Sequence, residues 1–184
     1  MNTSVERIYL NLEEINKIEK EISIRNHISR YLHIRHLCKG EVLDFGCGCG
    51  YGSFIISKNP DVNLVHGIDI SKEAIEWANN NFKNKNIIFY NDYENFDKKI
   101  DVLIAFEIIE HIKDVNTIPT FANKTKCNEI IISFPSIKST HFNKYHYHDF
   151  NVQNVVDLFE KNYFLYKKYD VNQHVNMLHF IKKH

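Results

Sequence analysis

Two groups of residues in this 184-residue chain have types and spacings suited to chemistry, and the first is a glycine-rich run with flanking carboxylates. Five of the six glycines fall between Gly40 and Gly52. Glycine lets the main chain turn tightly and approach a ligand without an intervening Cβ. Asp44 stands just before the central glycines, and Asp69 follows Gly50 at about the spacing of 20 residues that suits a carboxylate binding ribose hydroxyls. The run therefore predicts a ligand with a ribose, bound against the backbone.

The second group combines carboxylates with histidines. Glu107, Glu110 and His111 have the i, i+3, i+4 spacing that places side chains on one face if a helix begins after Phe106. A later Tyr-His run adds His146. Histidine takes up protons near neutral pH, and carboxylates with imidazoles also suit a divalent ion. The residues leave open a general base, a metal site, or a solvated aromatic loop.

The hydrophobic pattern predicts the elements that position these residues. Three-to-four spacing predicts an N-terminal helical cap over 1–38 that ends at Gly40, and Ser71 is the expected N-cap of a later helix. Other helices are predicted over 51–58 and 152–161. Alternation of helices with buried strands predicts an α/β fold, a Rossmann-like doubly wound sheet of seven strands, mostly parallel with an antiparallel C-terminal strand. The predicted strands are 41–45, 62–70, 86–90, 100–106, 129–134, 163–171 and 175–182, the last two forming a hairpin.

The glycine run is similar to motif I of class I S-adenosylmethionine-dependent methyltransferases, D-x-G-x-G-x-G. A nicotinamide fingerprint fits less well, because its nearest register ends on Ser53 instead of glycine or alanine. The resemblance implies S-adenosylmethionine as the cofactor, with Asp44 facing the cofactor's positively charged end. The other reading of the residues is that Asp44 and Asp69 merely cap loops. The implied cofactor-binding residues are Asp44, Gly46, Gly48, Gly50, Asp69, Ile70, Asp92, Tyr93 and Phe106.

Three further segments resemble methyltransferases of polysaccharide and nucleotide-sugar pathways. They are Arg30-Tyr31, FEIIEH at 106–111 and NKYHYHDF at 143–150, in which Asp149 replaces the usual glutamate. This resemblance implies transfer to a hydroxyl of a small acceptor, a sugar or nucleotide-sugar. The spacing E-x-x-E-H with a distant histidine is also similar to metal-dependent 2′-O-methyltransferases of small-RNA 3′ ends. The implied catalytic residues, which are also the ligands if a divalent metal is present, are Glu107, Glu110, His111 and His146.

Composition limits the remaining classes. Lys plus Arg and Asp plus Glu both number 23, so no net charge favours nucleic acid as a partner. The length and a hydrophobic fraction of 43% suit a single domain over 1–184. No stretch is long enough to span a bilayer, and four cysteines do not make a disulfide scaffold, so we expect a cytoplasmic protein without a membrane partner. No particular oligomer is predicted. A non-catalytic subunit with the same fold is the alternative to an enzyme.

Overall fold

A computed structural model describes residues 22–172 and 175–184 of the chain. The helix predicted before residue 22 and part of the turn predicted at Asn172-Gln173 lie outside the described residues. The chain divides into two compact units, a first unit up to Phe96 and a second unit from Asp97 to His184. The single domain over 1–184 stays a prediction. Within the described ranges, no helix is long and apolar enough to cross a membrane.

The described helices and strands lie close to their predicted positions. The α-helices are α1 (Ile22–Ile34), α2 (Tyr51–Ile56), α3 (Lys72–Asn81), α4 (Thr117–Lys124) and α5 (Val152–Phe159). The strands are β1 (Gly40–Phe45), β2 (Val62–Ile68), β3 (Ile87–Tyr90), β4 (Val102–Phe106), β5 (Glu129–Pro135), β6 (Tyr163–Asn172) and β7 (Val175–Lys182). Short 3-10 helices cover Arg35–Leu37 and Ile109–His111. The α-helix at the N-terminal side thus ends earlier than predicted, and a 3-10 turn continues it.

The seven strands form one sheet in the order β3-β2-β1-β4-β5-β7-β6. The pairs β1–β2, β2–β3 and β4–β5 are parallel, whereas β7 runs antiparallel to both β5 and β6. The predicted seven-stranded, mostly parallel α/β fold with an antiparallel C-terminal strand is therefore confirmed. The β6–β7 hairpin lies at the sheet edge, as predicted.

In the first unit, the last four residues of β1 and of β2 are buried, as expected for parallel strands inside a sheet. Ser71 caps α3 as predicted, since its Oγ accepts the N–H of Ala74 at 3.2 Å. Parallel strands present their carboxyl ends at the same edge of a sheet. The residues that follow β1 and β2, the glycine run and Asp69, are therefore brought together.

In the second unit, β4 is buried at all five positions and β5 at five of seven. A capping box begins α5: the Asn151 side chain accepts the Asn154 N–H at 2.9 Å, and the Asn154 side chain accepts the Asn151 N–H at 3.1 Å. Between β5 and α5 runs a long segment without regular structure, residues 136–149, here called the histidine loop.

The segment after β4 departs from the expected helix. The Glu107 N–H donates to the Ser133 carbonyl at 3.0 Å, which extends the contact between β4 and β5 by one residue. Glu107 also has φ of 50°, in the left-handed region. The chain then forms only the 3-10 turn Ile109–His111. A helix cannot begin at Glu107 because its backbone still belongs to the sheet, so the i, i+3, i+4 face that would include Glu107 does not form.

Candidate active site

The glycine loop, residues 46–50, connects β1 to α2. The N–H groups of Gly46 and Cys47 both donate to the Ile68 carbonyl, at 2.8 and 2.9 Å, and this anchors the loop to the end of β2. Gly46, Gly48 and Gly50 have φ of 78°, 53° and 87°. These left-handed angles strain any residue with a Cβ, which explains why glycine alternates through the loop.

Two of these glycines serve different purposes. A Cβ at Gly50 would lie 2.7 Å from the Ala78 Cβ and 2.8 Å from the Phe89 ring, so Gly50 permits close packing inside the unit. A Cβ at Gly48 would meet no atom within 4 Å. The Gly48 backbone therefore borders open space, as a ligand-facing backbone requires.

Asp69 connects the glycine loop to the start of α3. Its Oδ2 accepts the Gly48 N–H at 3.0 Å, and its Oδ1 accepts the Ser71 N–H at 2.9 Å. Each carboxylate oxygen has two lone pairs and can accept more than one hydrogen bond. Ile70 is 73% exposed, an unusual position for isoleucine. Binding of the ribose by Asp69 and a cofactor contact of Ile70 stay predictions.

Three other predicted cofactor residues have local partners. Asp92 is exposed and holds a turn, accepting the Glu94 N–H at 2.7 Å and the Asn95 side chain at 2.8 Å. The Tyr93 ring packs on Phe45, with centroids 5.7 Å apart. In the second unit, Phe106 is buried at the end of β4. Contacts of Asp92, Tyr93 and Phe106 with the cofactor stay predictions.

Asp44 lies inside the first unit and is fully buried. Its Oδ1 accepts the Tyr31 hydroxyl at 3.1 Å, and its Oδ2 accepts the Ser53 hydroxyl at 2.7 Å. Burial raises the pKa of Asp44 to about 6, against the hydrogen bonds from Ser53 and Tyr31, which lower it. This carboxylate has neutral donors on both oxygens, and its contact with the cofactor's cationic end remains a prediction.

In the second unit, His111 has a defined tautomer. Its Nδ1 lies 3.1 Å from the Tyr145 backbone carbonyl, which can only accept, so Nδ1 carries the proton. The lone pair of the neutral ring is therefore on Nε2. The ring packs edge-on against His146, with centroids 4.5 Å apart and an angle of 89°. The structure thus brings together two histidines that are 35 positions apart in sequence.

The tautomer of His146 follows from its neighbours. Asn143 Oδ1 accepts the Tyr145 N–H at 3.0 Å, so the amide nitrogen of Asn143 faces His146 Nε2 at 2.9 Å and donates to it. His146 Nδ1 then carries the proton and donates to Ser139 Oγ at 2.5 Å. The Nε2 lone pair of His146 thus accepts a hydrogen bond from the Asn143 side chain. In His111 the lone pair is also on Nε2, because Nδ1 carries the proton.

Glu110 joins the histidines, and Glu107 does not. Ligand atoms of Glu110, His111 and His146 all lie within 4.8 Å of one another, a spacing suited to one metal ion. Glu110 is buried, and its carbonyl accepts the Tyr147 N–H at 2.8 Å, which ties the 3-10 turn to the histidine loop. The Glu107 carboxylate instead accepts the Ser133 hydroxyl at 2.8 Å. Of the four predicted ligands, this group contains three.

Asp149 holds the histidine loop closed. Its Oδ1 accepts the N–H groups of Ser139 and Thr140 at 2.6 and 3.0 Å, and its Oδ2 accepts the Thr140 hydroxyl at 2.6 Å. These bonds lower the pKa of Asp149 to about 2. His148 Nε2 lies 3.1 Å from the carbonyls of Ile112 and Lys113, so His148 fixes the loop and does not join the pair of His111 and His146.

The sequence analysis did not predict the hydrogen bonds that three residues make to predicted site residues. Ser53 and Tyr31 bind Asp44, and Ser139 binds His146. Ser53 and Tyr31 belong to segments that the sequence does identify, the run after motif I and the Arg30-Tyr31 pair. Nothing in the local pattern distinguishes Ser139 from other loop serines, because its partner His146 is reached only after the loop folds back.

Comparisons with known proteins give the family and the fold of the chain. The chain matches the family described as "Methyltransferase domain" over residues 38–174. It is 36% identical over 110 residues to the ubiquinone biosynthesis O-methyltransferase of Rickettsia akari, covering 56% of this chain and 42% of that protein. A second relative, from Mycolicibacterium smegmatis, is 31% identical over 100 residues, covering 52% of this chain and 38% of its own length, and its name places it among the S-adenosylmethionine-dependent methyltransferases.

Among solved structures, the N-methyltransferase NodS of Bradyrhizobium japonicum WM9 in complex with S-adenosyl-L-homocysteine superposes with a TM-score of 0.69. The identity is 14%, and 91% of each chain is covered, which shows a shared fold. The chain spans about two fifths of the length of the curated relatives it matches. Since the family match covers well over half of the sequence, the chain belongs to the methyltransferase domain family.

Proposed function

We propose that this methyltransferase acts on a hydroxyl of a small acceptor, a sugar or nucleotide-sugar, with His111 as the general base. The observation that carries the proposal is the tautomer of His111. Its Nδ1–H is bonded to the Tyr145 carbonyl, which leaves the basic lone pair on Nε2. A hydroxyl must lose its proton as it attacks, and a positioned imidazole provides this near neutral pH.

Bound S-adenosylmethionine supplies an activated methyl group. The chain's own residues then have to bind and align the acceptor and remove its proton. His146 packs edge-on against His111 and, since its own Nε2 accepts from Asn143, its part is to hold the His111 ring in place. Glu110, buried beside both, favours the protonated imidazolium that forms when the hydroxyl proton is taken up.

A cavity of about 540 Å³ in the second unit is lined by residues of the histidine loop and α5, though not by His111 or His146, and its groups suit a sugar-like ligand. Tyr147 and Phe150 offer ring faces, and Asn154 and Asp157 offer groups that hydrogen-bond to hydroxyls. Its charged side chains, Asp149 and Asp157, are both acidic. Carboxylates repel phosphates, so of the proposed acceptors this lining favours a sugar over a nucleotide-sugar, and it also disfavours a nucleic acid.

A second candidate is metal-dependent 2′-O-transfer to RNA, favoured by the spacing of Glu110, His111 and His146. These three residues would hold a divalent ion, which would lower the pKa of an acceptor hydroxyl. For His146 Nε2 to serve as a ligand, the Asn143 amide would have to be displaced. A non-catalytic subunit is the third candidate, and the ordered histidine pair argues against it.

The test is turnover of S-adenosylmethionine with a panel of glycosides and nucleotide-sugars, beside a short RNA, with the methylated product identified by mass spectrometry. We expect a methylated glycoside or nucleotide-sugar hydroxyl, formed equally well in the presence of a chelator. Activity on RNA alone, lost with the chelator and restored by Mg²⁺ or Mn²⁺, would establish the second candidate instead.

The variant His111→Asn tests the base. We expect kcat to fall by about 10²–10⁴-fold, with S-adenosylhomocysteine affinity unchanged, because the substitution removes the proton acceptor only. The matched control is His141→Asn, which changes an exposed histidine of the histidine loop and should leave kcat unchanged. Equal losses of turnover and cofactor affinity in His111→Asn would place His111 outside the catalytic step.

A further inference from the structure

The cavity of about 540 Å³ in the second unit lies beside the histidine pair without including it. Tyr147 and His148 line the cavity, and they directly follow His146 in the chain. The Cα atoms of His146 and Tyr147 are therefore about 3.8 Å apart. The Tyr147 N–H donates to the Glu110 carbonyl at 2.8 Å, so the wall of the cavity is also bonded to the turn that carries His111. A ligand in the cavity thus lies next to the proposed reaction centre and not at it.

Two aromatic side chains, Tyr147 and Phe150, give the cavity apolar walls. The Phe150 ring packs edge-on against Phe134, with centroids 6.4 Å apart, and tilted against His148 at 5.4 Å. The Tyr147 side chain is 52% exposed, and its backbone is held by the hydrogen bond to Glu110. Side chains whose positions are already set lose little conformational entropy when a ligand packs on them. One face of a sugar ring carries C–H groups, which pack well on an aromatic ring.

The polar groups of the lining offer both donors and acceptors. The Oδ1 atom of Asn154 accepts the Asn151 N–H, so the NH2 group of Asn154 has two donors to offer. The Oδ1 atom of Asp157 accepts the Gln153 side chain at 2.7 Å, which leaves Oδ2 as an acceptor. His148 donates from Nε2 to two backbone carbonyls, so the lone pair of its neutral ring is on Nδ1. Each hydroxyl of a sugar both donates and accepts, and this mixture suits several hydroxyls on one ring.

The charges of the lining disfavour an anionic ligand. Asp149 and Asp157 line the cavity, and among the described residues that form the lining there is no lysine or arginine. Asp149 stays ionised because its hydrogen bonds lower its pKa to about 2. Lys113 lies outside the lining, with its Nζ 5.4 Å from the centroid of the Tyr147 ring. A uronate or a phosphate in the cavity would therefore meet two negative charges, whereas an uncharged sugar avoids this repulsion.

We infer that the cavity binds a second, uncharged sugar unit of the acceptor, next to the unit whose hydroxyl is methylated. This inference rests on the proposed function and narrows its acceptor to a saccharide of at least two units. The methylated unit itself does not fit the cavity as well, because its reacting hydroxyl has to reach Nε2 of His111, and neither His111 nor His146 lines the cavity. Neighbouring units of a saccharide are joined through a single glycosidic oxygen, so one acceptor can occupy both places. The unit in the cavity then adds affinity and aligns the reacting hydroxyl.

Calorimetry in the presence of S-adenosylhomocysteine tests the cavity with a panel of neutral disaccharides: cellobiose, maltose, lactose and α-1,6-mannobiose. Each disaccharide is compared with the methyl glycosides of its two single units. We expect at least one disaccharide to bind about tenfold more tightly than either of its single units, because the second unit adds one or two hydrogen bonds. The same disaccharide with its second unit oxidised to a uronate should lose this gain.

Three variants connect the gain to the cavity. Asn154→Asp keeps the oxygen that accepts the Asn151 N–H but replaces the two donors, so it should lose the tenfold gain while Tm stays near that of wild type. The matched control Asn151→Asp adds the same charge to the same capping box, outside the cavity lining, and should bind the disaccharide as wild type does. Asp157→Asn removes one of the two negative charges, so it should bind the uronate form more tightly than wild type does.

The inference is overturned if no disaccharide of the panel binds more tightly than its single units, or if Asn154→Asp and Asn151→Asp change the disaccharide affinity equally. Turnover separates it from the proposed function. Methylation of a single sugar and of its disaccharide with equal kcat/KM would remove the second unit and leave the proposed function intact. Disaccharide binding that Asn154→Asp abolishes, with no methylation of any saccharide, would refute the proposed function and leave a carbohydrate site in the cavity.

Discussion

The glycine loop and the histidine loop both carry candidate site residues, yet they are held in different ways. In the glycine loop, the main chain supplies the structure: three left-handed glycines and two N–H groups on the Ile68 carbonyl set its path. In the histidine loop, side chains supply it. Asp149 binds the backbone at Ser139 and Thr140, and Asn143 and Ser139 hold His146.

This difference has a consequence for how each loop tolerates change. The backbone of the glycine loop packs directly against the interior. It therefore has little room to move when a Cβ is added. A loop held by side-chain hydrogen bonds opens locally when one of them is lost, without unfolding the core. Substitutions in the two loops should therefore differ in kind as well as in size.

The largest expected effect is that of Gly50→Ala on stability. The new Cβ would lie 2.7 Å from the Ala78 Cβ and 2.8 Å from the Phe89 ring, at a φ of 87°. Steric overlap and backbone strain together should lower the free energy of unfolding by about 4 kcal/mol, measured by urea denaturation.

The matched control is Gly48→Ala, at a φ of 53° and with nothing within 4 Å of the added Cβ. It carries the strain without the overlap, so the expected loss is about 1 kcal/mol. Equal losses in the two variants would show that strain alone determines the glycine requirement, and that packing against α3 and β3 contributes nothing.

The first unit was predictable because its signals are local. Glycine spacing, the short apolar runs and Ser71 each act on neighbouring backbone, and the parallel order brings the ends of β1 and β2 together without further information. The pattern could not show that the hydroxyl groups of Tyr31 and Ser53 donate to Asp44. These donors lie 13 and 9 residues from Asp44 in sequence, and no periodic pattern marks such distant partners.

The second unit was predictable in its strands and less so in its site. His111 and His146 do meet, although the expected helical face with Glu107 does not form, because the Glu107 backbone stays paired with Ser133. Pairing between β4 and β5 extends one residue further than expected because of the position of β5, and the local sequence around Glu107 carries no information about that position. The motif residues Asn143, His146 and Asp149 also prove to contact the loop itself.

A smaller effect is expected from pH on the Asp44 side of the cofactor site. Burial raises the pKa of Asp44 to about 6, so below that pH the free protein carries a neutral acid there. If Asp44 receives the cofactor's ammonium, S-adenosylhomocysteine affinity should fall about tenfold between pH 7 and pH 5, measured by calorimetry. The analogue 5′-methylthioadenosine, which lacks the amine, is the control and should bind equally at both values.

The stability of the ligand-free protein should respond to Asp44 in the opposite direction. A raised folded-state pKa means that the folded protein binds the proton more tightly than the unfolded chain, whose Asp titrates near 3.8. The contribution of protonated Asp44 to the free energy of unfolding is fully present below about pH 3.8 and is lost as pH rises through about 6. The variant Asp44→Asn should remove both pH dependences, and a wild-type S-adenosylhomocysteine affinity that does not change with pH would exclude the pairing with the ammonium.

The smallest expected effect is that of Asp149→Ala, and it should be local. The Ser139 and Thr140 N–H groups lose their acceptor, so their hydrogen exchange should accelerate about tenfold or more while Tm stays near that of wild type. The control is Asp157→Ala, which removes an exposed carboxylate that accepts a hydrogen bond from the Gln153 side chain.

The same hydrogen bonds predict a pH dependence. Because the pKa of Asp149 is lowered to about 2, the stabilisation by its carboxylate is present above pH 3.8 and is lost only as the pH falls through about 2, so wild-type protection from hydrogen exchange should persist at pH 4. A global loss of stability in Asp149→Ala, comparable to that of Gly50→Ala, would mean that the histidine loop is as integral to its unit as the glycine loop is, and would remove the distinction between backbone-held and side-chain-held sites.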